Sequence, residues 1–347
     1  MRKLVTIRTI AEVVPIDGAD QIEVVKLDGW QCVAKKNEFK AGDMAVYHEI
    51  DSFLPQHPRY NFMAVRGIQT NGDGRNGYRL RTIRLRGQLS QGLALPLSLF
   101  PELQDHIPED LSELLGISKY EPAIPAQLAG QAKGIFPSFL KKTDQERIQN
   151  MKWILDDHDS LWEVTQKLDG SSMSVFWNAG EFGVCSRNLE LKETEGNTFW
   201  QVANRLCLRE KLAQIGENIC LQGELIGPGI QGNPHKLSQP EFFLFDIWLI
   251  DEQRYASPSE RTLYMLRNEL SEISQAPLLH SAFSLSQFGK SPEAIIAGPL
   301  HDALEFANKA PDMLNPKNPA PEGVVFKRHD GCHSFKIISN KYLLREK

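Results

Sequence analysis

The chain has 347 residues, 41% of them hydrophobic and 24% charged, with a formal net charge of −5 at pH 7. Those proportions exclude a disordered chain, and the net acidity excludes a uniformly basic surface while leaving room for local basic patches. At ~100–200 residues per domain, the length predicts two domains, each with a sizeable core.

The opening stretch MRKLVTIRTIAEVV places Arg8 and Glu12 where a leader peptide needs an apolar run. No signal peptide and no membrane span are therefore expected. Five scattered cysteines (Cys32, Cys185, Cys207, Cys220 and Cys332) show no CxxC spacing, which suits a reducing, cytoplasmic compartment.

Residues 1–100 read as short strands: VTIRTIAEVVPI, QIEVVKL, WQCVAK, MAVYHEI, YRLRTIRLRG and GLALPL are rich in β-branched and aromatic residues and are parted by Gly, Asp, Asn and Pro. That pattern predicts a small β-barrel or sandwich, an OB-like barrel first. Residues 101–135 read as a proline-rich connector with one helical run, DLSELLG. A second unit begins near Phe136. KKTDQERIQNMKWIL carries a capping-box pattern, Thr143 with Glu146, and helical spacing through Ile148, Met151 and Leu155. Strands return from Leu161 in LWEVTQKL, SMSVFW, FGVCS, NICLQGEL and EFFLFDIWLI. SPSERTLYMLRNEL, with Ser257, Pro258 and Glu260 at its start, and HDALEFANKA predict helices. The chain closes on strands in EGVVFKRH and HSFKII. The expected fold class is α+β, with residues 1–120 a β-barrel domain and residues 121–347 an antiparallel-sheet domain. The group HDGCH (His329, Cys332, His333) reads as a hairpin turn at Asp330-Gly331, because the four-ligand spacing of a structural zinc site is missing.

The tetrapeptide KLDG occurs twice, at Lys26–Gly29 and at Lys167–Gly170. In the first copy Asp28-Gly29 lies between two strand-like runs. Asp-Gly favours the positive φ of a tight hairpin turn, so Lys26 reads as a solvated strand residue. In the second copy Lys167 and Asp169 share a face if the segment is extended, and Gly170 lets the backbone turn close to a ligand. A nucleophilic amine must shed its proton, so its pKa has to fall from ~10.4. Downstream lie, in order, Arg187 in SRN, Glu224 in GELIGPGIQGN, Phe245 and Asp246 in FFLFDIW, Glu322 and Lys327 in EGVVFK, and Lys336 and Lys341 in SFKIISNKY.

This ordered series resembles the covalent nucleotidyltransferases, the superfamily of ATP-dependent polynucleotide ligases and mRNA capping enzymes. Within it, GELIGPGIQGN, the FDI that follows, and EGVVFK are similar to the RNA ligases of the phage RNA-ligase-2 type. The added N-terminal domain and the short tail resemble the layout of the Deinococcus-type RNA ligase. The motif resemblance spans residues 136–347. It implies an adenylyltransferase domain and three chemical steps. The lysine attacks the ATP α-phosphate to form lysyl-AMP, AMP passes to an RNA 5′-phosphate, and a 3′-OH displaces AMP.

Carried over, Lys167 is the nucleophile and Glu224 bonds the adenylate ribose. Phe245, with Phe243 on the same face, stacks on adenine, although plain core packing is the rival reading. Gln166 occupies the position that reads adenine, where the phage-type enzymes tend to carry a carboxylate. Arg187, Lys336 and Lys341 contact phosphates, and the cations help depress the Lys167 pKa. Glu322 orients a metal-bound water, Asp169 orders the lysine or that water, and Mg²⁺ or Mn²⁺ accompanies ATP. The second lysine of the last motif is Ile338 here, which leaves Lys327 or Lys341 to replace it. Eleven residues follow Lys336, too few for the trailing OB domain of DNA ligases and capping enzymes.

Five arginines in GDGRNGYRLRTIRLRG (Arg75, Arg79, Arg81, Arg84 and Arg86) suggest a phosphate track along one strand face, against the rival reading of a charged edge strand. Lys133, Lys141 and Lys142 form a second basic cluster. The implied partner is RNA, as nicked duplex or RNA/DNA hybrid ends, acted on by a monomer. Two alternatives stand: a non-catalytic nucleic-acid-binding protein with a decayed nucleotidyltransferase domain, and a guanylyltransferase.

Overall fold

The computed structural model describes residues 3–103, 108–121 and 130–345. The chain divides into two units, residues 1–125 and 126–347.

The first unit is built from β1 (Val5–Thr9), β2 (Glu12–Pro15), β3 (Ile22–Leu27), β4 (Trp30–Lys35), β5 (Met44–His48) and β6 (Ser52–Pro55), followed by β7 (Gln69–Thr70), β8 (Asn76–Arg79), β9 (Thr82–Leu85), β10 (Gln88–Gln91), β11 (Leu93–Pro96) and β12 (Ser118–Lys119). Their sheet orders are β1-β5-β11, β2-β3-β4, β9-β10 and β12-β6-β8-β7. Strand alternation is visible in β4, which buries Trp30, Cys32 and Ala34. Val5, Val46, Leu54, Tyr60, Tyr78 and Phe100 belong to the unit's core. Asp28 (φ 39°) and Gly29 (φ 83°) both take the left-handed backbone that a two-residue hairpin needs, and β3 pairs directly with β4. Lys26 forms a surface ion pair with Glu12 at 2.9 Å. DLSELLG makes turns rather than a helix. The Asp110 carboxylate captures the Ser112 N–H at 3.0 Å and offers the backbone an alternative to helix.

The second unit contains β13 (Ala132–Ile135), β14 (Glu146–Arg147), β15 (Leu161–Lys167), β16 (Ser171–Asn178), β17 (Glu181–Cys185) and β18 (Leu189–Leu191), then β19 (Ile219–Ile226), β20 (Glu241–Leu249), β21 (Arg254–Tyr255), β22 (Leu278–Ser284), β23 (Gly323–Arg328) and β24 (Ser334–Ile338). They form a seven-stranded sheet, β13-β18-β17-β16-β19-β20-β21, and a five-stranded sheet, β14-β24-β23-β15-β22. Every pairing in these sheets is antiparallel except β14 with β24. One core joins Met173, Val175, Leu221 and Leu244 to helices Thr198–Arg205, Leu208–Ile215 and Pro258–Arg267. Another joins Trp162, Val164, Phe326 and Phe335 to helix Pro299–Lys309. Phe326 and Phe335 are register partners and stack at 4.8 Å; burying each ring contributes roughly 1.5–3 kcal/mol.

The Ser257–Glu260 capping box forms: Glu260 N–H donates to Ser257 Oγ at 3.2 Å and Ser257 N–H to Glu260 Oε2 at 2.8 Å. The helix expected at residues 143–155 does not form. Glu146–Arg147 pairs instead with β24, and two 3₁₀ turns follow, Ile148–Asn150 and Lys152–Asp156. Glu146 bonds Arg147 N–H and the Asn150 amide (2.8 and 3.1 Å), so its carboxylate is engaged within this turn. Burial of Ile148, Ile154 and Leu155 in the second core overrides the local signal. Gly331 (φ 77°) turns the chain between β23 and β24, as expected of HDGCH; His329 bonds the Ser281 carbonyl at 2.7 Å and His333 packs edge-on against Trp153.

Candidate active site

Lys167 is the last residue of β15. In register it lies opposite Gly323, which lies opposite Ile338. The next row on the same face is Thr165, Val325 and Lys336, with Arg147 beside Lys336; the row after is Glu163, Lys327 and Ser334. Three lysines and one arginine therefore share one face of the five-stranded sheet, while Trp162, Val164, Phe326 and Phe335 bury the other. Arg147 is buried and was not singled out from sequence; no local signal marks it, because its place depends on the β14–β24 pairing.

Two glycines allow the close approaches at this end of the sheet. A Cβ on Gly170 would meet Ile226 Cγ2 at 2.4 Å and Leu225 O at 2.5 Å, so only glycine lets the chain after Lys167 pass over β19 beside Glu224. Gly323 (φ 145°) would put a Cβ 2.1 Å from Ile337 O.

Around the lysine stand three carboxylates. Lys167 Nζ is 2.7 Å from Glu322 Oε1. Burial alone would lower the Lys167 pKa, but Glu322, Glu224 and Asp169 outweigh it and hold the ammonium above its ordinary value. This corrects the expectation of a depressed pKa: the nearby charges are acidic in the ligand-free site. One ammonium cannot balance three carboxylates. Burial, reinforced by Glu322 and Asp169 and opposed by Lys167, pushes Glu224 up to about 8. Burial and the Glu322 charge push Asp169 up to about 6, against a hydrogen bond from Tyr342. Tyr342 lies on helix Asn340–Arg345, beside the exposed Lys341.

Phe245 sits at a register shift between β20 and β19. Before the shift Phe242 and Leu244 enter the core; after it Ile247 does, and Phe245 and Asp246 both face away. Phe245 is partly exposed and packs beside Leu168, the residue after the nucleophile, with Phe243 in the same cluster. Lys327 Nζ lies 5.5 Å from the Phe245 ring centroid, donates to the Phe245 carbonyl and pairs with Asp246 at 2.6 Å. Burial, helped by Arg261 and opposed by Asp246, lowers its pKa. Lys327 thus fastens β23 to β20, which leaves the exposed Lys341 as the candidate to replace a lysine at Ile338.

Arg187 and Lys336 meet on one carboxylate. Asp144 Oδ2 is 3.2 Å from Arg187 Nη2, and Asp144 Oδ1 is 3.2 Å from Lys336 Nζ. A cavity of ≈ 210 Å³ adjoins it, lined in part by Lys141, Lys142, Asp246 and Lys327.

Gln166 precedes Lys167 on β15. Alternation places it on the face opposite Lys167, where it is buried. Its Nε2 donates to Asp312 Oδ1 at 2.9 Å and its Oε1 accepts from Met313 N–H at 2.8 Å. These bonds tie the strand end to the loop at Asp312 and Met313. The five arginines do not lie on one strand face. Arg75 and Arg79 belong to the β8 segment and bond Asp73 and Asp51 (2.6 and 3.1 Å), whereas Arg84 lies on β9, in a different sheet, and Arg86 in the turn after it.

The donor set of Asp169, Glu224 and Glu322 has the hard oxygens that Mg²⁺ or Mn²⁺ takes. Among the described residues no group of three His, Cys, Asp or Glu side chains forms a ready metal cage.

A family model described as RNA ligase matches residues 160–342, and one described as an OB-fold domain matches residues 4–97. Among solved structures, a mutant Naegleria gruberi RNA ligase with AMP and Mn is 44% identical, covering 99% of this chain and 98% of its own, with a TM-score of 0.86. The same organism's RNA ligase, mutated and with ATP and Mn, is 44% identical over 98% of each chain at a TM-score of 0.86. With PPi it is again 44% identical, over 99% and 98%, at 0.86. No curated protein matches the chain. The expected OB-fold domain is therefore present, followed by a sheet-rich α+β ligase domain.

Proposed function

The chain belongs to the RNA ligase family, and from that premise we propose that it seals a 3′-OH to a 5′-phosphate of RNA through an adenylate carried on Lys167. The observation that carries this reading is the shared face on which Lys167, Lys336 and Arg147 lie in register, with Glu322, Glu224 and Asp169 around the lysine.

In the first step Lys167 Nζ attacks the ATP α-phosphorus, a P–N bond forms and pyrophosphate leaves. The amine must first lose a proton, and Glu322 Oε1 at 2.7 Å is placed to accept it. Glu224 accepts from the ribose hydroxyls, and the exposed side of Phe245 stacks on the base. Arg187, Lys336 and Arg147 bind phosphate oxygens, which requires Asp144 to give way. Mg²⁺ or Mn²⁺, which one or two of the carboxylates Glu322, Asp169 and Glu224 would hold, would supply positive charge that neutralises phosphate and carboxylate together. AMP then passes to the RNA 5′-phosphate, forming a 5′–5′ pyrophosphate link, and the 3′-OH displaces it.

Nicked RNA duplex or RNA/DNA hybrid ends are the proposed substrates, with the exposed Arg84 and Arg86 as contacts of the first unit. The order of OB-fold domain before ligase domain supports a place among the Deinococcus-type enzymes. Five free thiols support a cytoplasmic site of action. Incubation with α-labelled ATP and Mn²⁺, then a denaturing gel, tests the core of the reading. A labelled band from ATP and none from GTP is expected; no band, or a GTP band alone, overturns it.

A further inference from the structure

We infer that His235 and Asp312 are positioning residues that hold both flanks of the nucleophile, Asp169 by its backbone N–H and Gln166 by its side chain. The inference rests on Lys167 being the adenylylated residue. The chain leaves the β15 ladder at Lys167 and enters the next strand at Ser171, so the stretch between has no sheet to fix it. The Asp169 N–H can only donate, so the His235 Nε2 that faces it at 3.2 Å is the acceptor and carries no proton. The ring proton is then on Nδ1, which donates to Asp312 Oδ2 at 2.9 Å. His235 is thus neutral and set in one tautomer by Asp312.

The same carboxylate reaches the other side of the lysine. Asp312 Oδ1 accepts from Gln166 Nε2 at 2.9 Å, and Gln166 precedes Lys167. Asn318 Nδ2 at 2.8 Å and the N–H groups of Leu314 and Asn315 at 3.0 Å hold Asp312 still. His235 and Asp312 are each 2% exposed and Gln166 1%, so bulk water does not replace a lost bond. One buried carboxylate therefore accepts directly from the side chain of the residue before Lys167 and, through one imidazole, fixes the backbone N–H of the second residue after it.

The test separates lysyl-AMP formation, which uses Lys167 as nucleophile, from sealing of RNA that already carries a 5′-adenylate, which does not. In His235→Ala, lysyl-AMP formation at saturating ATP is expected to slow by ~10²-fold, the usual result of a misplaced reacting group. KM for ATP and the sealing of pre-adenylylated RNA stay within ~3-fold of wild type, since neither uses the lysine's attack geometry. His235→Gln, whose Oε1 can accept from Asp169 while its amide donates to Asp312, restores adenylylation to within ~5-fold of wild type. Asp312→Asn, which presents an N–H to Nδ1 and sends the ring proton to Nε2, is as slow as His235→Ala. Equal losses in both steps, unchanged adenylylation in His235→Ala, or no recovery in His235→Gln overturns the positioning role. A wild-type protein that forms no AMP adduct overturns the Lys167 reading instead, which keeps the two failures distinct.

Discussion

The two KLDG segments share four letters and differ in where the chain goes next. At Lys26 the turn joins β3 to β4, which pair with each other, so the segment begins and ends in one sheet. Its aspartate and glycine supply positive φ, and its lysine pairs on the surface with Glu12. At Lys167 the segment leaves the five-stranded sheet and enters β16, which pairs with β17 and β19 of the seven-stranded sheet. The second KLDG is a crossing between sheets. That crossing is why Glu224 from one sheet and Glu322 from the other both act on one ammonium. A motif's chemistry resides in what its path brings together.

Lys167→Ala is expected to abolish the covalent AMP adduct, and Lys26→Ala to leave it within ~2-fold of wild type, since an exposed pair contributes about 0–1 kcal/mol. Radiolabel from ATP persisting on the Lys167 variant would sink the assignment. The glycines of the two segments differ in the same way. Gly170→Ala drives a methyl to 2.4 Å from Ile226 Cγ2, costs ~1–3 kcal/mol and suppresses adenylylation. Gly29→Ala, at φ 83°, costs ~1–2 kcal/mol through backbone strain and leaves adenylylation by the folded protein unchanged. Thermal melts paired with adduct yields separate the two cases.

Much of this was legible in the sequence, and the failures have physical causes. The residues from Lys167 to Lys336 were proposed from an order that resembles a known family, and the structure brings Glu224, Glu322 and Asp169 to act on Lys167. The Ser257 helix start was readable, because its signals are local. The bonds of Gln166 to Asp312 and Met313 were not readable, because those partners lie 146 and 147 residues away. The residue 143–155 helix was lost to β24 pairing, and Arg147 was missed for the same reason. His235, Asp312 and Tyr342 lie 68, 145 and 175 residues from Lys167 with no pattern linking them. The sign of the Lys167 shift depends on three carboxylates meeting in space, which no spacing shows.

That sign yields a prediction absent from Lys26. The reactive amine and the ionised carboxylates both appear as protons leave, so adenylylation should rise with pH through about 8, the value to which burial pushes Glu224. Stability moves the opposite way. The unfolded chain ionises Glu224 near ~4.5 while the folded ligand-free protein keeps the proton to about 8, so this group's contribution is lost as pH rises across that window. Glu224→Gln cannot ionise. Its melting temperature relative to wild type should climb between pH 5 and 8 while its adenylylation is lost. A difference that stays flat with pH refutes the raised value.

The smallest effect concerns the anion position, which the first KLDG lacks altogether. Asp144 lies 3.2 Å from both Arg187 and Lys336, one carboxylate spanning two cations as a phosphate would. All three groups are partly exposed, so each contact is weak and its loss costs the fold at most about 1 kcal/mol. Binding a substrate phosphate there must displace the carboxylate and overcome its repulsion. Asp144→Asn keeps the side chain's shape and removes the competing charge. The substrate's apparent affinity should therefore rise by ~2–5-fold, most at low ionic strength where the pairs are least screened. Titrating ATP against adduct formation at two salt concentrations checks it. Weaker binding in the variant would mean that Asp144 orients the two cations and does not compete with phosphate for them.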